Sequence, residues 1–376
     1  MKILLVITGM SVGGAEKVVA DLADALVKGG CEVLLAYLKE PLQVRPKSPE
    51  VGVVCLGVNS VADVMAGCYR FRRLVREFKP DIVHSHMFHA TMLTRLSRLS
   101  TSIPCMISTA HNAFDGGRLR AVAYRLTDRL TDISTNVSSE AVGAFVDRGA
   151  VPADRMVTVY NGISVDRIRP SPNARTRVRA SFEIDTDCKL FVAAGRLSVL
   201  KDYPNMFRAL ARLPADLSYR LLIAGDGALR HSLETMVGEL GLSSRVRFLG
   251  TRRDVVELMS AADVFVLSSK GEGFSLVVAE AMACECVVVA TDCGGVREVL
   301  GDAGFLVPSR NPGALAAALL EASALDQQAA AEMGKVARQR VVDLYSFDRS
   351  VEHWRELYGS LRRGDAGHVG ASHFQA

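Results

Sequence analysis

The chain has 376 residues, too many for one compact α/β domain and about right for two. Apolar residues make up 49%, enough for two cores. A net charge of only +4, spread over many acids and bases, excludes a dedicated nucleic-acid binder with one dense basic face.

Short apolar runs alternate with helical patterns, which is the signature of parallel βαβ construction. In the first half, strands are predicted at Lys2–Ile7, Glu32–Tyr37, Val51–Cys55, Ile82–His84, Cys105–Thr109, Asp132–Thr135 and Met156–Val159. The opening run ends in Thr8-Gly9, a strand meeting a turn and not a signal peptide. Helical segments lie between the strands, clearest at Glu16–Lys28 and Tyr69–Phe78. Asn161-Gly162 breaks the rhythm, and Arg169-Pro170-Ser171-Pro172-Asn173 reads as a linker.

The rhythm then restarts. Strands are predicted at Leu190–Ala194, Tyr219–Ala224, Val246–Leu249, Val264–Leu267, Val287–Ala290 and Phe305–Val307. Helices are predicted at Tyr203–Leu213, Leu229–Leu240, Val255–Ala261 and Leu276–Cys284. Ala-rich helices over 313–343 precede a last helix, Arg349–Leu361. The fold class is therefore α/β, with two Rossmann-like, doubly wound domains over 1–168 and 174–345. Residues 346–362 form a final helix and 363–376 an irregular tail. Two such halves predict a cleft lined by the carboxyl ends of their strands.

The densest block is Ser268 to Ala283, which follows a buried strand and opens a helix. Gly271 and Gly273 permit a tight turn, and N–H groups at Phe274, Ser275 and Leu276 can cradle a phosphate. Glu272 precedes the helix and Glu280 stands in its second turn, so each can grip hydroxyls at a different point of one extended ligand. The alternative is a local cap or ion pair at Glu280 and a solvated loop acid at Glu272. Gly195-Arg196-Leu197 ends the first strand of the second half, with Lys201 close behind. Two cations there can neutralise a diphosphate without a metal and stabilise charge growing on a leaving phosphate. Gly13 and Gly14 let the backbone approach a ligand at the opening of the first helix. The spacing matches neither a G-x-G-x-x-G dinucleotide fingerprint nor a P-loop. His84, His86 and His111 stand near strand ends: His84 and His89 read as hydrogen-bonding structural residues, and His111 as the site candidate.

Two metal patterns read otherwise. Asp185-Thr186-Asp187 precedes its strand, at the wrong end for a cleft ligand, and reads as a turn. Eight cysteines contain no C-x2-C pair and read as free thiols of a reducing compartment. Cys284, Cys286 and Cys293 fit no zinc spacing.

Together these blocks resemble the GT-B glycosyltransferases, specifically the retaining group 1 class, family 4. The resemblance covers residues 1–362. It runs through Gly13-Gly14-Ala15-Glu16, His111, Asn161-Gly162-Ile163, Gly195-Arg196-Leu197 with Lys201, Ala224-Gly225-Asp226-Gly227 and Phe248-Leu249-Gly250. Glu272 with Glu280, Gly294-Gly295-Val296-Arg297-Glu298 and Gly304-Phe305-Leu306-Val307 complete it. It implies that Arg196 and Lys201 bind a donor diphosphate, that Glu272 holds the transferred sugar and that Glu280 holds the ribose. It implies phosphate contacts from Gly273, Phe274, Ser275 and Leu276, closure by Gly13 and Gly14, and a contact of His111 with the sugar. It further implies that the last helix crosses back to the first domain, and that no metal or other cofactor is needed.

The segments Tyr124–Asp128 and Thr135–Ser138 are similar to those of enzymes that build bacterial surface polysaccharides and glycolipids. That suggests a hexose or N-acetylhexosamine from UDP, moved to a glycan or polyprenyl-linked acceptor. The rival readings are a same-fold enzyme such as an epimerase, and a non-catalytic sugar-nucleotide-binding subunit. Between residues 60 and 130, eleven basic residues face five acids, a surplus larger than the whole chain's. This stretch, with Phe71, Leu74, Val75 and Phe78 on one helical face, reads either as a surface helix packed on the sheet or as a docking site for anionic lipid. No run of about twenty apolar residues exists to cross a bilayer, which predicts a cytoplasmic protein, peripheral at most on the plasma membrane.

Overall fold

The computed structural model describes residues 1–113 and 117–363. The chain divides into two compact units, Met1–Gly162 together with residues from Asp348 onward, and Ile163–Phe347.

In the first unit the elements run β1 (Lys2–Met10), α1 (Gly14–Lys28), β2 (Glu32–Leu42), β3 (Gly52–Cys55), α2 (Val64–Phe78), β4 (Ile82–His86), α3 (Phe88–Arg98), β5 (Cys105–Thr109), α4 (Arg118–Thr127), β6 (Ile133–Asn136), α5 (Ser139–Asp147) and β7 (Met156–Thr158). Among the described residues its strands form one seven-stranded parallel sheet ordered β3-β2-β1-β4-β5-β6-β7. The continuous apolar run of β1 is explained by burial on both faces. Ile3, Leu5 and Ile7 enter a core with Val19, Leu22 and Leu26 of α1, while Leu4 and Val6 enter another with Phe71 and Val75 of α2.

The second unit repeats the plan with α6 (Ala174–Ser181), β8 (Lys189–Ala194), α7 (Tyr203–Leu210), β9 (Tyr219–Ala224), α8 (Arg230–Glu239), β10 (Val246–Gly250), α9 (Val255–Ala261), β11 (Val264–Leu267), α10 (Leu276–Ala283), β12 (Val287–Asp292), α11 (Val296–Leu300), β13 (Phe305–Pro308), α12 (Pro312–Ala324) and α13 (Gln327–Tyr345). Its six described strands lie parallel in the order β10-β9-β8-β11-β12-β13. α14 (Phe347–Arg363) buries Trp354, Leu357, Tyr358 and Leu361 against the α1 side of the first sheet.

Several boundaries differ from the sequence reading. β1 does not stop at Ile7: Gly9 and Met10 continue the ladder, opposite Lys39 and Leu42, across a register shift. Asp132 is not a strand residue; its carboxylate accepts from Arg98 and from the Met106 amide. The two units part at Gly162/Ile163, before the Pro-rich segment, because Ile163 exchanges backbone hydrogen bonds with Tyr345 and Phe347. α6 follows that segment directly, and Arg175 and Arg179 tie it to Asp263 at the head of β11. α14 runs on through Arg363, and the rest of the expected tail, 364–376, lies outside the described residues.

Candidate active site

In each sheet the strand order reverses beside the unit's first strand, between β1 and β4 and between β8 and β11. Loops leaving the carboxyl ends of the two strands at such a reversal run to opposite sides and leave a crevice for ligand. In the second unit these are the loops after β8, carrying Gly195, Arg196 and Lys201, and after β11, carrying Ser268 to Ser275.

The topology brings Lys201 and Glu272 together. Lys201 Nζ donates to Glu272 Oε1 at 2.6 Å, and Ser269 Oγ donates to the same oxygen at 2.6 Å. Both side chains are largely covered, 20% and 12% exposed, so this pair is screened far less than a surface one. The loops themselves are cross-tied. Ser268 Oγ donates to the Lys201 carbonyl, the Lys270 amide to the Leu200 carbonyl, and Thr291 Oγ1 to the Ser269 carbonyl. Two residues expected to serve different parts of a ligand thus bond to each other.

Gly294 shows why the turn needs glycine from another loop. Its φ is +56°, and a Cβ there would stand 1.8 Å from the Glu272 carbonyl oxygen. The neighbouring Gly295 amide donates to the Gly273 carbonyl, so the loop after β12 presses directly on the turn bearing Glu272. Gly225 plays the same part beneath Arg196: a Cβ would meet the Gly195 oxygen at 2.0 Å, at φ +149°.

At the opening of α10, Phe274 is buried and packs edge-on against Tyr345, ring centroids 5.2 Å apart. Ser275 adopts a left-handed conformation, φ +65°, and its buried Oγ has no hydrogen-bond partner among the described residues. First-turn N–H groups have no intrahelical acceptor in any helix. Leu276 and Val277 open α10, so the N–H groups of its first turn can face an anionic group. Glu280 lies one turn and more into α10, half-buried.

In the first unit, Gly13 is the extended residue preceding α1 and Gly14 begins that helix. The buried Glu16 side chain folds back over Gly13, where a Cβ would meet its Oε2 at 2.3 Å. His111 follows β5, and its Nε2 lies 3.1 Å from Nδ1 of His86 at the end of β4. Burial pushes His111 down to about 4 and holds His84 and His86 well below the ordinary histidine range. His84 is the structural hydrogen-bonder its position suggests, bonded to Tyr358 and Thr109. His86 and Ser269 stand beside these candidates, and sequence reasoning gave neither a role. A signal existed for His86, since residues two apart on a strand share a face, so His84 and His86 had to project together toward His111.

The aspartates of the D-x-D triplet occupy the turn before β8, at that strand's amino end. Cys284 and Cys286 donate their thiols to the Val256 and Ala262 carbonyls. Burial pushes Cys284 up to about 12 and Cys286 in the same direction.

Comparison with known proteins matches both units. The family model described as "Glycosyl transferases group 1" matches residues 174–340, and "Glycosyltransferase Family 4" matches 12–167. A D-inositol 3-phosphate glycosyltransferase of Mycolicibacterium smegmatis is 31% identical over 304 residues, 73% of this chain and 68% of that protein. The chain belongs to the group 1, family 4 glycosyltransferases. An N-acetyl-alpha-D-glucosaminyl L-malate synthase of Bacillus anthracis is 24% identical over 94% of this chain and 96% of that protein. Against other D-inositol 3-phosphate glycosyltransferases the match spans 53% to 64% of their length. The fold is that of the solved Anabaena HepE in complex with UDP, with a TM-score of 0.85 at 22% identity, covering 96% of this chain and 100% of that one. Two Rossmann-like units of a GT-B glycosyltransferase account for both sheets.

Proposed function

We propose that this family 4 chain moves a hexose or N-acetylhexosamine from a nucleotide-diphosphate sugar, UDP foremost, to a glycan or lipid-linked acceptor with retention of configuration. The observation that carries the reading is the Lys201–Glu272–Ser269 cluster on loops cross-tied at the strand-order reversal of the second unit. It supplies a fixed carboxylate for sugar hydroxyls beside a fixed ammonium for a diphosphate. HepE has been solved with UDP, with UDP and glucose, and with UDP-glucose, which supports UDP as the nucleotide.

In the proposed reaction the bond from the sugar's anomeric carbon to the β-phosphate oxygen breaks as the acceptor oxygen bonds to that carbon on the same face. The acceptor's proton passes to an oxygen of the departing phosphate. Arg196 and Lys201 oppose the charge that grows there, a service that fixed cations perform without a metal. Glu272 orients the sugar, Glu280 holds the ribose, the α10 opening binds phosphate, and Gly13 and Gly14 approach the diphosphate. His111 contacts the sugar. We place the reaction on the cytoplasmic side, at an anionic membrane surface. Among the described residues no helix is long and apolar enough to cross a membrane. A non-catalytic binding subunit would use the same donor contacts and is separated from an enzyme by turnover.

The test is a donor screen. UDP-glucose, UDP-N-acetylglucosamine and GDP-mannose are offered with an acceptor panel in excess EDTA, and nucleotide release is followed. A UDP-sugar should be consumed at full rate in chelator. Loss of turnover in EDTA, restored by Mg²⁺ or Mn²⁺, would overturn the metal-free mechanism, and binding without turnover on any acceptor would favour the subunit reading.

A further inference from the structure

The carboxyl ends of β4 and β5 hold a stack of histidines that the scheme above does not use in full. The His84 and His86 rings lie 3.9 Å apart, and Trp354 of α14 flanks His84 at 4.6 Å. His84 is fixed at both nitrogens, Nδ1 against the Tyr358 hydroxyl at 2.7 Å and Nε2 against Thr109 Oγ1 at 2.6 Å. His86 is fixed at one. Its Nδ1 meets His111 Nε2 at 3.1 Å, and its own Nε2 is buried with no hydrogen-bond partner among the described residues.

That orphan nitrogen decides which ring donates. His86 is buried and His111 half-buried, and desolvation holds both rings neutral, so their contact contains one proton. If His111 Nε2–H donated, His86 would accept at Nδ1 and would carry its own proton on Nε2. A buried N–H would then be left without an acceptor, the rarer and costlier kind of orphan. If His86 Nδ1–H donates, its Nε2 is a bare lone pair, which is better tolerated in an apolar setting. His111 then accepts at Nε2 and keeps its proton on Nδ1.

We propose that His86 is a positioning residue that locks His111 in the Nδ1–H tautomer, so that His111 offers substrate a neutral hydrogen-bond donor. This rests on His111 contacting the transferred sugar, as argued above. The consequence is specific. With Nε2 occupied and Nδ1 protonated, His111 has no lone pair with which to take the acceptor's proton. It can only donate, to a sugar hydroxyl or ring oxygen, and proton removal is left to the departing phosphate.

The test reads the tautomer directly, on the full chain labelled with ¹⁵N-histidine, by long-range ¹H–¹⁵N correlation at pH 7. His86 and His111 signals are assigned by their loss in His86→Asn and His111→Asn. The expected spectrum shows His111 protonated at Nδ1 and bare at Nε2, with His86 the same. A proton on Nε2 of either ring overturns the proposal, whatever the enzyme's activity proves to be. Two variants then test the positioning role. His86→Asn keeps an N–H donor near the Nδ1 position and should retain the His111 tautomer and kcat. His86→Leu should give His111 mixed tautomers and lower kcat about tenfold, the scale of one hydrogen bond lost in the transition state, with donor KM little changed. An unchanged kcat in a folded His86→Leu enzyme, or equal loss in both variants, contradicts that role. If no nucleotide sugar is ever consumed, the reading of the site fails while the spectrum still decides the tautomer.

Discussion

Glu272 and Glu280 share a stretch of chain, yet their surroundings differ and so should the effects of removing them. Glu272 Oε1 is taken by Lys201 and Ser269, while Glu280 lies farther along α10. Glu280→Ala should weaken UDP binding by about 1–3 kcal/mol, the cost of unmade buried hydrogen bonds. Glu272→Ala should leave UDP affinity intact, because Lys201 is released toward the diphosphate, and should cut turnover. Titration calorimetry with UDP separates the two; equal loss of affinity in both variants would reverse the ribose and sugar assignments.

The buried histidines make a second prediction at the same scale. Burial holds His111 at about 4, against an ordinary value of about 6.5. The unfolded chain therefore binds protons between those values that the folded chain refuses. This contribution is fully present above pH 6.5 and lost as pH falls toward 4, up to about 3 kcal/mol for His111. His84 and His86 shift in the same direction. Urea unfolding should show a lower midpoint at pH 5 than at pH 7. His111→Gln should flatten that dependence, and an unchanged slope would show that the ring is not buried neutral.

At the scale of elements, most strands were legible because their apolar runs are buried on both faces, as Ile3 to Ile7 show. What sequence could not supply was contact across long separations. Lys201 and Glu272 looked like two ligands of one substrate, and nothing local says that they bond to each other. Tyr358 reaches His84 from a helix near the other end of the chain, beyond any periodicity argument. The apolar face of α2 covers the sheet: Phe71 and Val75 are buried, and Leu74 and Phe78 pack beside them. The opposite side exposes Met65 and Tyr69 near Arg73 and Arg76. α4 adds a second exposed stripe, Leu119, Val122 and Leu126, between Arg118 and Arg125. An anionic membrane would suit both, each cation contributing about 1 kcal/mol at the surface. Liposome co-sedimentation should show binding to anionic vesicles that weakens with salt and is lost when Arg72, Arg73 and Arg76 become Glu. Binding no stronger than to neutral vesicles would remove the membrane from this account.

Across the whole molecule, one plan is used twice: a parallel sheet whose order reverses beside its first strand, with polar loops gathered at that reversal. The sequence announced this through repeated βαβ rhythm and through glycines whose reason appears only in three dimensions. Gly294 is required by a carbonyl of a loop some twenty residues earlier. The central claim is retention, with the leaving phosphate and not a protein carboxylate or histidine taking the acceptor's proton. It is tested most directly by ¹H NMR of the first-formed product of whichever nucleotide sugar the screen identifies. The expected result is a new linkage with the donor's own anomeric configuration, seen in the coupling of its anomeric proton; the opposite configuration in that first-formed product would contradict the account.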